Sequence, residues 1–377
     1  MNILVIAQNL DYTAPGNVFK NIIKGISRCN SVDLLYNGKF DESQLTSVRR
    51  FYSCQSNFFY NYLGRKRIFK NKSNPYSKKW IEKALRIIEG NKYDIVCSML
   101  TSSYYYPILC GKLIADKCYA KYAVYSVDAI PAPGWGESTF SRFQLELVKN
   151  ELKHCDYFAT INPKMLDYQL STFENKPGLK HNVIYIPIDE NIKQIGPATE
   201  KHTFLYTGGI YGKRKIDKII KAFNKICNTY EDAKLILVGT HLRRSYIEQI
   251  ARYNSKSIEL HRYAKDLTPF YKRASVFLNI DADIPNDVFL ASKLMKYLPY
   301  NRQILCETGE NSPTHLLLDG FDTVVICHHD EEELYQGMLK VLKNVDTAEY
   351  SERDILLHEL SIESQGKKLA EDLVFIL

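Results

Sequence analysis

Residues 274–305, ASVFLNIDADIPNDVFLASKLMKYLPYNRQIL, combine two apolar runs with a polar loop and a short helical segment. The run from Val276 to Ile280 has the length and composition of a buried strand, and a loop with three aspartates follows it. A short helix is predicted to open near Ala291, and a second apolar run begins at Gln303. The pattern predicts a strand, loop, helix and strand unit, which is the repeating element of an α/β fold.

Ser292 and Lys293 fall in the first turn of that predicted helix. The first N–H groups of a helix lack intrahelical partners, and the helix dipole is positive there, so the position suits an anion such as phosphate. The lysine adds a full positive charge. These residues predict a phosphate-binding site, and an ordinary helix start with a solvated lysine is the alternative.

A second unit of the same kind begins with the predicted strand Thr203–Thr207. Gly208 and Gly209 follow the strand, and the basic residues 213–215 precede a helix predicted from Asp217. Glycines after a strand allow backbone amides to approach a phosphate, and the basic residues supply positive charge. Whether Arg214 or Lys215 makes the contact stays open, and a solvated basic helix start is again the alternative.

The chain begins with a βαβ pattern. A strand is predicted at Asn2–Gln8, a helix from about Val18, and a further strand at Val32–Tyr36. Gly16 lies in the turn after the first strand, where it would bring the backbone close to a ligand at the carboxyl end of the sheet. A plain loop explains Gly16 equally well, because the GxGxxG pattern of dinucleotide-binding proteins is missing from this turn.

Asp128 follows another predicted strand, Ala120–Val127, and opens a loop rich in proline and glycine that contains Trp135. A carboxylate at the end of a strand is placed to contact an acceptor or a donor sugar. A turn-capping role for Asp128 is the alternative. The last strand of this half is predicted at Val183–Ile188.

Strand and helix signals alternate twice, with a polar interruption between the two series. This predicts two doubly wound α/β domains, residues 1–188 and 203–355, facing each other across a cleft. The linker is predicted at 189–202, and an amphipathic terminal segment at 356–377.

Composition restricts the class of protein. The chain has 377 residues, of which 45% are apolar and 25% charged, which is typical of a folded globular protein with room for two domains. We found no apolar run of the roughly 18 residues that a membrane-spanning helix needs, and the N-terminus lacks signal-peptide features, so a cytoplasmic location is expected. Nine cysteines at irregular spacings, without a CxxC pair, indicate buried reduced thiols, and the histidines show no metal-ligand spacing.

Residues 43–81 contain basic and aromatic side chains and no acidic one. This composition suits an anionic membrane surface or a single-stranded nucleic acid. A solvated connection whose aromatic side chains pack on the first domain is the alternative.

The unit around Lys293 resembles the nucleotide-sugar glycosyltransferases of the GT-B fold, family 4, which are called group 1 transferases. Their signature reads Pro-Ser-Lys, a short spacer and Glu-Tyr, and Ser292, Lys293 and Tyr297 match it. The glycine loop, its basic residues and the segment Ile219–Phe223 resemble a second family element. Many members also carry two glutamates eight positions apart, whereas this chain has Val288 and Lys296 there, with Asp287 beside the first position.

The resemblance implies an enzyme that moves a sugar from a nucleotide-diphosphate donor to a glycan or lipid-linked acceptor, with retention, in the biosynthesis of cell-surface polysaccharide. Lys293 and Arg214 or Lys215 would stabilise the leaving diphosphate, Tyr263 would lie at the nucleotide base, and Lys296 would donate to the ribose or a phosphate. Neither a cofactor nor a metal is implied. A terminal helix would cross back to the first domain, and residues 43–81 would lie at the inner face of the cytoplasmic membrane.

Three other functions remain open at this stage. The same fold accommodates sugar-nucleotide epimerases, and the loss of both glutamates is compatible with a non-catalytic nucleotide-binding or scaffold protein. Nucleic-acid binding through residues 43–81 is the third, and it is not expected. Asp281 and Asp283 form the Asp-x-Asp pattern that holds a metal in single-domain GT-A transferases, but their place in the second α/β half favours a turn-forming loop.

Overall fold

The computed structural model describes residues 1–11, 13–55, 75–102, 106–134, 146, 149–150, 152–172, 178–188, 195–240, 244–253 and 255–377. The chain forms two compact units. The first contains Met1–Asp189 together with Glu359–Leu377, and the second contains Glu190–His358. The domain boundaries that the sequence predicts lie at 188, 202 and 355.

The first unit is built on a parallel sheet of seven strands. Its strands are β1 (Asn2–Gln8), β2 (Ser31–Asn37), β3 (Arg50–Ser53), β4 (Ile95–Leu100), β5 (Lys121–Ser126), β6 (Tyr157–Thr160) and β7 (Lys180–Val183). Their order is β3-β2-β1-β4-β5-β6-β7. The helices of this part of the chain are α1 (Ala14–Ser27), α2 (Pro75–Ile87), α3 (Tyr106–Cys118) and α4 (Pro163–Thr172). The central strands are buried along nearly their whole length, as expected of a parallel sheet covered on both faces.

The second unit has a parallel sheet of six strands. These are β8 (Thr203–Thr207), β9 (Lys234–Val238), β10 (Ile258–His261), β11 (Val276–Ile280), β12 (Gln303–Glu307) and β13 (Val324–Cys327). Their order is β10-β9-β8-β11-β12-β13. The helices are α5 (Asp217–Cys227), α6 (Arg244–Arg252), α7 (Thr268–Arg273), α8 (Ser292–Tyr297), α9 (Pro313–Leu318), α10 (Glu331–Asn344) and α11 (Asp354–Glu359).

The order of the second sheet reverses at β8, the first strand of the unit. One side of β8 pairs with β9, which follows it in sequence, and the other side pairs with β11. A reversal of this kind opens a crevice at the carboxyl ends of the strands, where doubly wound sheets bind their ligands. The unit that the sequence predicts around Lys293, with its strand, loop and helix, lies beside this point.

The last helix, α12 (Ile362–Val374), belongs to the first unit. It packs closely on α1, because a Cβ atom on Gly366 would lie 2.3 Å from the Cα of Gly25. The hydroxyl of Tyr157 in β6 donates to the carboxylate of Asp372 over 2.7 Å. These contacts hold the terminal helix on the sheet of the first unit.

Two boundaries in the first unit differ from the sequence prediction. Helix α1 starts at Ala14 rather than near Val18, because the hydroxyl of Thr13 accepts a hydrogen bond from the Gly16 N–H over 3.0 Å and caps the helix. The closing strand is β7, and the apolar run predicted as that strand continues beyond it as extended chain. Ile184, Ile186 and Ile188 are buried there in alternation, which explains the strand-like pattern.

Parts of the basic and aromatic region 43–81 lie outside the described residues, including Phe58 and Phe59. Trp80 is described, and it is buried with its indole N–H donating to the carbonyl of Cys54 over 2.6 Å. Arg49 donates two hydrogen bonds of 2.8 Å to the buried carboxylate of Asp33. Trp80 is therefore part of the first core, as the packing alternative for this region predicts.

Seven of the nine cysteines are buried, which agrees with the thiol interpretation of their sequence context. Within the described ranges, none of the helices has both the length and the apolar character required to cross a bilayer.

Candidate functional site

Two glycine turns meet at the carboxyl edge of the second sheet, beside the strand-order reversal. Gly208 follows β8 with a φ of 109°, and Gly239 follows β9 with a φ of 73°. The N–H of Gly208 donates to the carbonyl of Val238 over 2.8 Å, and a Cβ on Gly239 would lie 3.9 Å from the Cα of Gly208. Both turns depend on glycine, because positive φ values of this size strain residues with a side chain. At both glycines the backbone at the edge of the crevice is therefore not covered by a side chain of its own.

Lys293 lies directly over the Gly208 turn. It is the second residue of α8, which begins where the sequence predicts. Its Nζ donates a hydrogen bond to the hydroxyl of Tyr206 in β8 and lies 4.0 Å from the centroid of that ring. A Cβ on Gly208 would lie 3.7 Å from the same nitrogen. Helix α8 and the β8 turn, which are far apart in sequence, therefore come together at this amine.

Arg214 is the basic residue of the β8 loop that reaches Lys293. Its positive charge acts on Lys293, and its guanidinium lies 5.4 Å from the ring centroid of Tyr211. Its Nε is buried and makes no hydrogen bond within the described structure. Lys215, in contrast, is exposed and pairs with the carboxylate of Asp283 over 3.4 Å. Of the two basic residues, Arg214 is therefore the one whose charge acts on Lys293, whereas Lys215 is directed towards Asp283.

The electrostatics of this site favour an anionic ligand. Burial lowers the pKa of Lys293 well below its ordinary value, and the charge of Arg214 lowers it further, while Asp281 acts in the opposite direction. Two cations held close together with little water repel each other and are relieved by negative charge. A bound phosphate would favour the ammonium form of Lys293.

Buried carboxylates lie beside the two cations. Asp281 follows β11, and its side chain accepts hydrogen bonds from Asn279 over 3.0 Å and Thr308 over 2.8 Å. Asp287 is buried in the loop that leads to α8, and it accepts from the Phe289 N–H over 3.0 Å. Both carboxylates raise the pKa of Arg214 by their charge, although burial acts against them. They offset part of the positive charge and hold the guanidinium protonated.

Asp287 is the buried carboxylate of this site whose pKa is strongly raised. The pKa of Asp287 is raised from the ordinary value of 3.8 to about 6, because burial and, to a smaller extent, the charge of Asp281 outweigh the Phe289 hydrogen bond and the charge of Arg214. The folded protein therefore binds the proton of Asp287 more tightly than the unfolded chain does. Ionised Asp287 destabilises the fold above about pH 6, and this penalty disappears below about pH 4.

Asp287→Asn is therefore expected to raise the free energy of unfolding at pH 7.5 by about 2 kcal/mol, allowing for the lost attraction to Arg214. The gain should disappear near pH 4, where wild-type Asp287 is protonated in both states. Urea unfolding at the two pH values measures the difference. The exposed Asp319 provides the matched variant, Asp319→Asn, which should change neither value. An equal gain at both pH values would contradict the assignment.

A second ion pair extends the polar edge to β12 and β13. Glu307, the last residue of β12, is buried, and its Oε1 lies 3.0 Å from Nδ1 of His329. Burial alone would lower the pKa of His329, but the hydrogen bond and charge of Glu307 raise it. The sequence analysis missed this pair and Tyr206. The signal was present, because Glu307 ends one apolar run and His329 follows another, so both belong to the carboxyl edge.

A comparison with known protein families relates the second unit to one of them. Residues 201–344, which contain both glycine turns, Lys293 and Arg214, match the family model described as glycosyl transferases group 1. This segment is therefore similar to the group 1 glycosyl transferases. A search of curated protein sequences found no match.

Solved structures resemble the whole chain at low identity. Anabaena HepE, solved with UDP and glucose, has a TM-score of 0.69 and 13% identity, and each chain is covered to 100%. The apo form of WaaB, a lipopolysaccharide outer core galactosyltransferase, has a TM-score of 0.68 and 12% identity, again with 100% coverage of both chains. A variant of S. aureus TarM, solved with fondaparinux, α-GlcNAc-glycerol and UDP, gives 0.69 and 10%, with 99% of each chain covered. The chain therefore has the GT-B fold, and the predicted fold class is confirmed.

Three predicted residues of the second unit lie on or near the same edge. Ser292 is the first residue of α8. The carbonyl of Gly209 accepts a hydrogen bond of 3.0 Å from the Tyr206 hydroxyl. The Cα of Tyr263 lies 4.0 Å from the position of a Cβ on Gly239, while its side chain is 80% exposed. The Tyr263 backbone is thus at the edge, whereas its ring points to solvent.

Lys296 is exposed near the end of α8, one turn beyond Lys293. Its predicted contact with the nucleotide stays a prediction. Val288, at the position of the other family glutamate, is buried.

The two predicted residues of the first unit have local structural partners. Asp128 accepts hydrogen bonds from the backbone N–H and the hydroxyl of Ser102, over 2.8 and 2.9 Å. Burial raises its pKa, and the bonds from Ser102 oppose that effect. Gly16 lies in the first turn of α1, where a Cβ would approach the carbonyl oxygen of Leu10 to 2.4 Å. Asp128 thus links its loop to Ser102, which is distant in sequence, and Gly16 has a packing reason, while ligand binding by either residue stays a prediction.

The Asp-x-Asp segment of the second unit does not direct its carboxylates to one point. Asp281 bonds to Asn279 and Thr308, whereas Asp283 pairs with Lys215 and, over 3.6 Å, with Lys218. Among the described residues, no cluster of three or more histidine, cysteine, aspartate or glutamate side chains is arranged to hold a metal ion.

Proposed function

We propose that this protein transfers a sugar from a nucleotide-diphosphate donor to a glycan or lipid-linked acceptor, with retention of anomeric configuration. The observation that carries the proposal is the position of the Lys293 amine over the Gly208 turn, at the strand-order reversal of the second unit, where the charge of Arg214 also acts on it. The structures of HepE and TarM that resemble this chain contain UDP, which supports a nucleotide diphosphate as the ligand.

In the proposed reaction Lys293 and Arg214 neutralise the charge that grows on the leaving diphosphate. A compact ammonium and a planar guanidinium suit different phosphate oxygens, and both work best where water is scarce. The backbone at Gly208 and Gly209 adds close N–H groups. The acceptor hydroxyl attacks from the face that the diphosphate leaves, so the step requires no protein nucleophile. We propose that no cofactor is used and that these two cations take the charge-neutralising role a metal has elsewhere.

We further propose roles for the remaining predicted residues. The Tyr263 backbone contacts the base, Lys296 donates to the ribose or a phosphate, and Lys215 adds a more distant positive charge. Asp128 and the Gly16 turn contribute to the acceptor side. We propose that the nucleotide binds in the second domain, 203–355, and that residues 1–188 and the terminal helix form the other domain.

A panel of nucleoside diphosphates and nucleotide sugars tests the proposal. One diphosphate class should bind in titration calorimetry, and the matching nucleotide sugar should release that diphosphate when acceptor glycans are added. NMR of the product should show the donor's anomeric configuration. Release of the diphosphate without binding specificity, or no binding at all, would overturn the proposal. Conversion of the sugar while it stays on the nucleotide would identify an epimerase instead.

We also propose that the protein acts in surface polysaccharide synthesis at the inner face of the cytoplasmic membrane. The support is a row of exposed basic residues on α2, Lys79, Lys83 and Arg86, spaced by about one helical turn. Each basic residue held near an anionic lipid surface contributes about 1 kcal/mol to the free energy of binding.

Full-length protein is expected to sediment with vesicles that contain phosphatidylserine and to stay in solution with purely phosphatidylcholine vesicles. Replacing Lys79, Lys83 and Arg86 together by alanine should weaken the binding tenfold or more. The matched control replaces three exposed lysines of the second unit, Lys256, Lys265 and Lys272, by alanine. Equal sedimentation with both kinds of vesicle would refute membrane binding.

A further inference from the structure

Tyr206 contacts both Gly209 in the loop after β8 and Lys293 in α8, which are distant in sequence. It lies in β8, fully buried, between the sheet and the Gly208 turn. Its hydroxyl donates to the carbonyl of Gly209 over 3.0 Å. Because the single phenolic proton is used in that bond, the oxygen lone pairs are left for Lys293, whose Nζ donates to the same hydroxyl.

The lysine is held from two directions. Its Nζ lies 4.0 Å from the centroid of the Tyr206 ring, so the ring face and the hydroxyl both contact the amine. Apart from Tyr206, the charged groups that act on Lys293 are Arg214 and Asp281, and the Tyr206 hydroxyl accepts the hydrogen bond from its Nζ. The position of the amine therefore depends on this tyrosine.

We propose that Tyr206 is a positioning residue of the nucleotide site, whose hydroxyl fixes the Lys293 amine and the Gly209 carbonyl relative to each other. The inference rests on the proposed function, because it assigns Lys293 to the diphosphate. Tyr206 does not touch the reacting atoms. It holds a long flexible side chain in one place before the ligand arrives, which reduces the entropy that binding would otherwise cost.

The proposal has a consequence for the protonation of Lys293. A hydroxyl that accepts a hydrogen bond from an ammonium stabilises the charged form. Removing that hydroxyl shifts the titration of Lys293 to lower pH, so the amine loses its charge earlier as pH rises. A merely structural tyrosine would leave this titration in place.

Tyr206→Phe keeps the ring and removes the hydroxyl. In the free protein, the acylation rate of Lys293, followed by peptide mass spectrometry across pH 6 to 10, should rise at lower pH in the variant. UDP affinity should fall about tenfold at pH 7.5. The decrease of UDP affinity at alkaline pH should begin at a lower pH in the variant than in wild type. In a Lys293→Met background the same substitution should change UDP affinity less than twofold, because the tyrosine acts through the lysine.

Tyr271→Phe is the matched control, since it also removes a buried hydroxyl, one that bonds to Thr207 next to the turn. It should leave the acylation profile of Lys293 unchanged. The proposal is overturned if Tyr206→Phe leaves both the acylation profile and the UDP affinity as in wild type, or if Tyr271→Phe shifts the profile equally. A shifted acylation profile in a protein that binds no nucleoside diphosphate would uphold the contact between Tyr206 and Lys293 and reject the proposed function.

Discussion

Lys293→Ala is expected to lower kcat about a hundredfold while the protein stays folded. Negative charge on the leaving diphosphate is greatest in the transition state, so a cation that contacts it there contributes about 3 kcal/mol to the rate. The amine lies on the open Gly208 turn, and its burial is an electrostatic cost to the free protein. Losing it should therefore leave the thermal midpoint unchanged or slightly raised.

Lys221→Ala provides the charge-matched control. Lys221 is in α5 of the same domain and pairs with Glu331 over 3.8 Å, remote in its contacts from the glycine turn. This variant should keep wild-type turnover, which separates the local role of Lys293 from a change in net charge. Wild-type turnover in Lys293→Ala would remove the residue from the mechanism, and an unfolded variant would show that its packing had been misjudged.

Arg214→Ala is expected to reduce kcat/KM about thirtyfold, which corresponds to about 2 kcal/mol. Its guanidinium lies 5.4 Å from the ring centroid of Tyr211 and its charge acts on Lys293, while its buried Nε makes no hydrogen bond within the described structure. Arg214→Lys should recover only part of the loss, because a lysine keeps the charge and loses the planar pair of donors.

Lys215→Ala distinguishes the structural assignment from the open alternative in the sequence. Lys215 is paired with Asp283, so its loss should be at least tenfold smaller than that of Arg214→Ala in kcat/KM. Steady-state kinetics with the best donor from the nucleotide panel measures all three variants. A larger loss for Lys215→Ala than for Arg214→Ala would reverse the assignment.

The fold could be predicted because its signals are local. Short apolar runs such as Val276–Ile280 are buried strands in a parallel sheet, and each is followed by a helix with apolar residues at helical spacing. The errors occur where tertiary contacts decide. Helix α1 starts early because Thr13 caps it, and the apolar run after β7 is buried as extended chain with an isolated bridge from Ile188 to Ser361.

The candidate site could be predicted only in part. Gly208 and Lys293 were recognisable because a glycine after a strand and a lysine at a helix start are local features. The choice between Arg214 and Lys215 depends on the path of one loop, which adjacent residues of the same charge do not reveal. In the sequence, Tyr206 is one residue of an apolar run that predicts a strand. The contact of its hydroxyl with Lys293 depends on where α8 packs, which the sequence does not reveal.

The central claim is that Lys293 and Arg214 bind the diphosphate of a nucleotide at the Gly208 turn. A crystal structure of the full-length protein with the nucleoside diphosphate that binds most tightly tests it most directly. The account predicts a phosphate oxygen within hydrogen-bond distance of Lys293 Nζ, a second within reach of the Arg214 guanidinium, and backbone N–H groups of the glycine turn facing the phosphates. A nucleotide bound elsewhere, or bound at this edge with Lys293 remote from every phosphate oxygen, would contradict it.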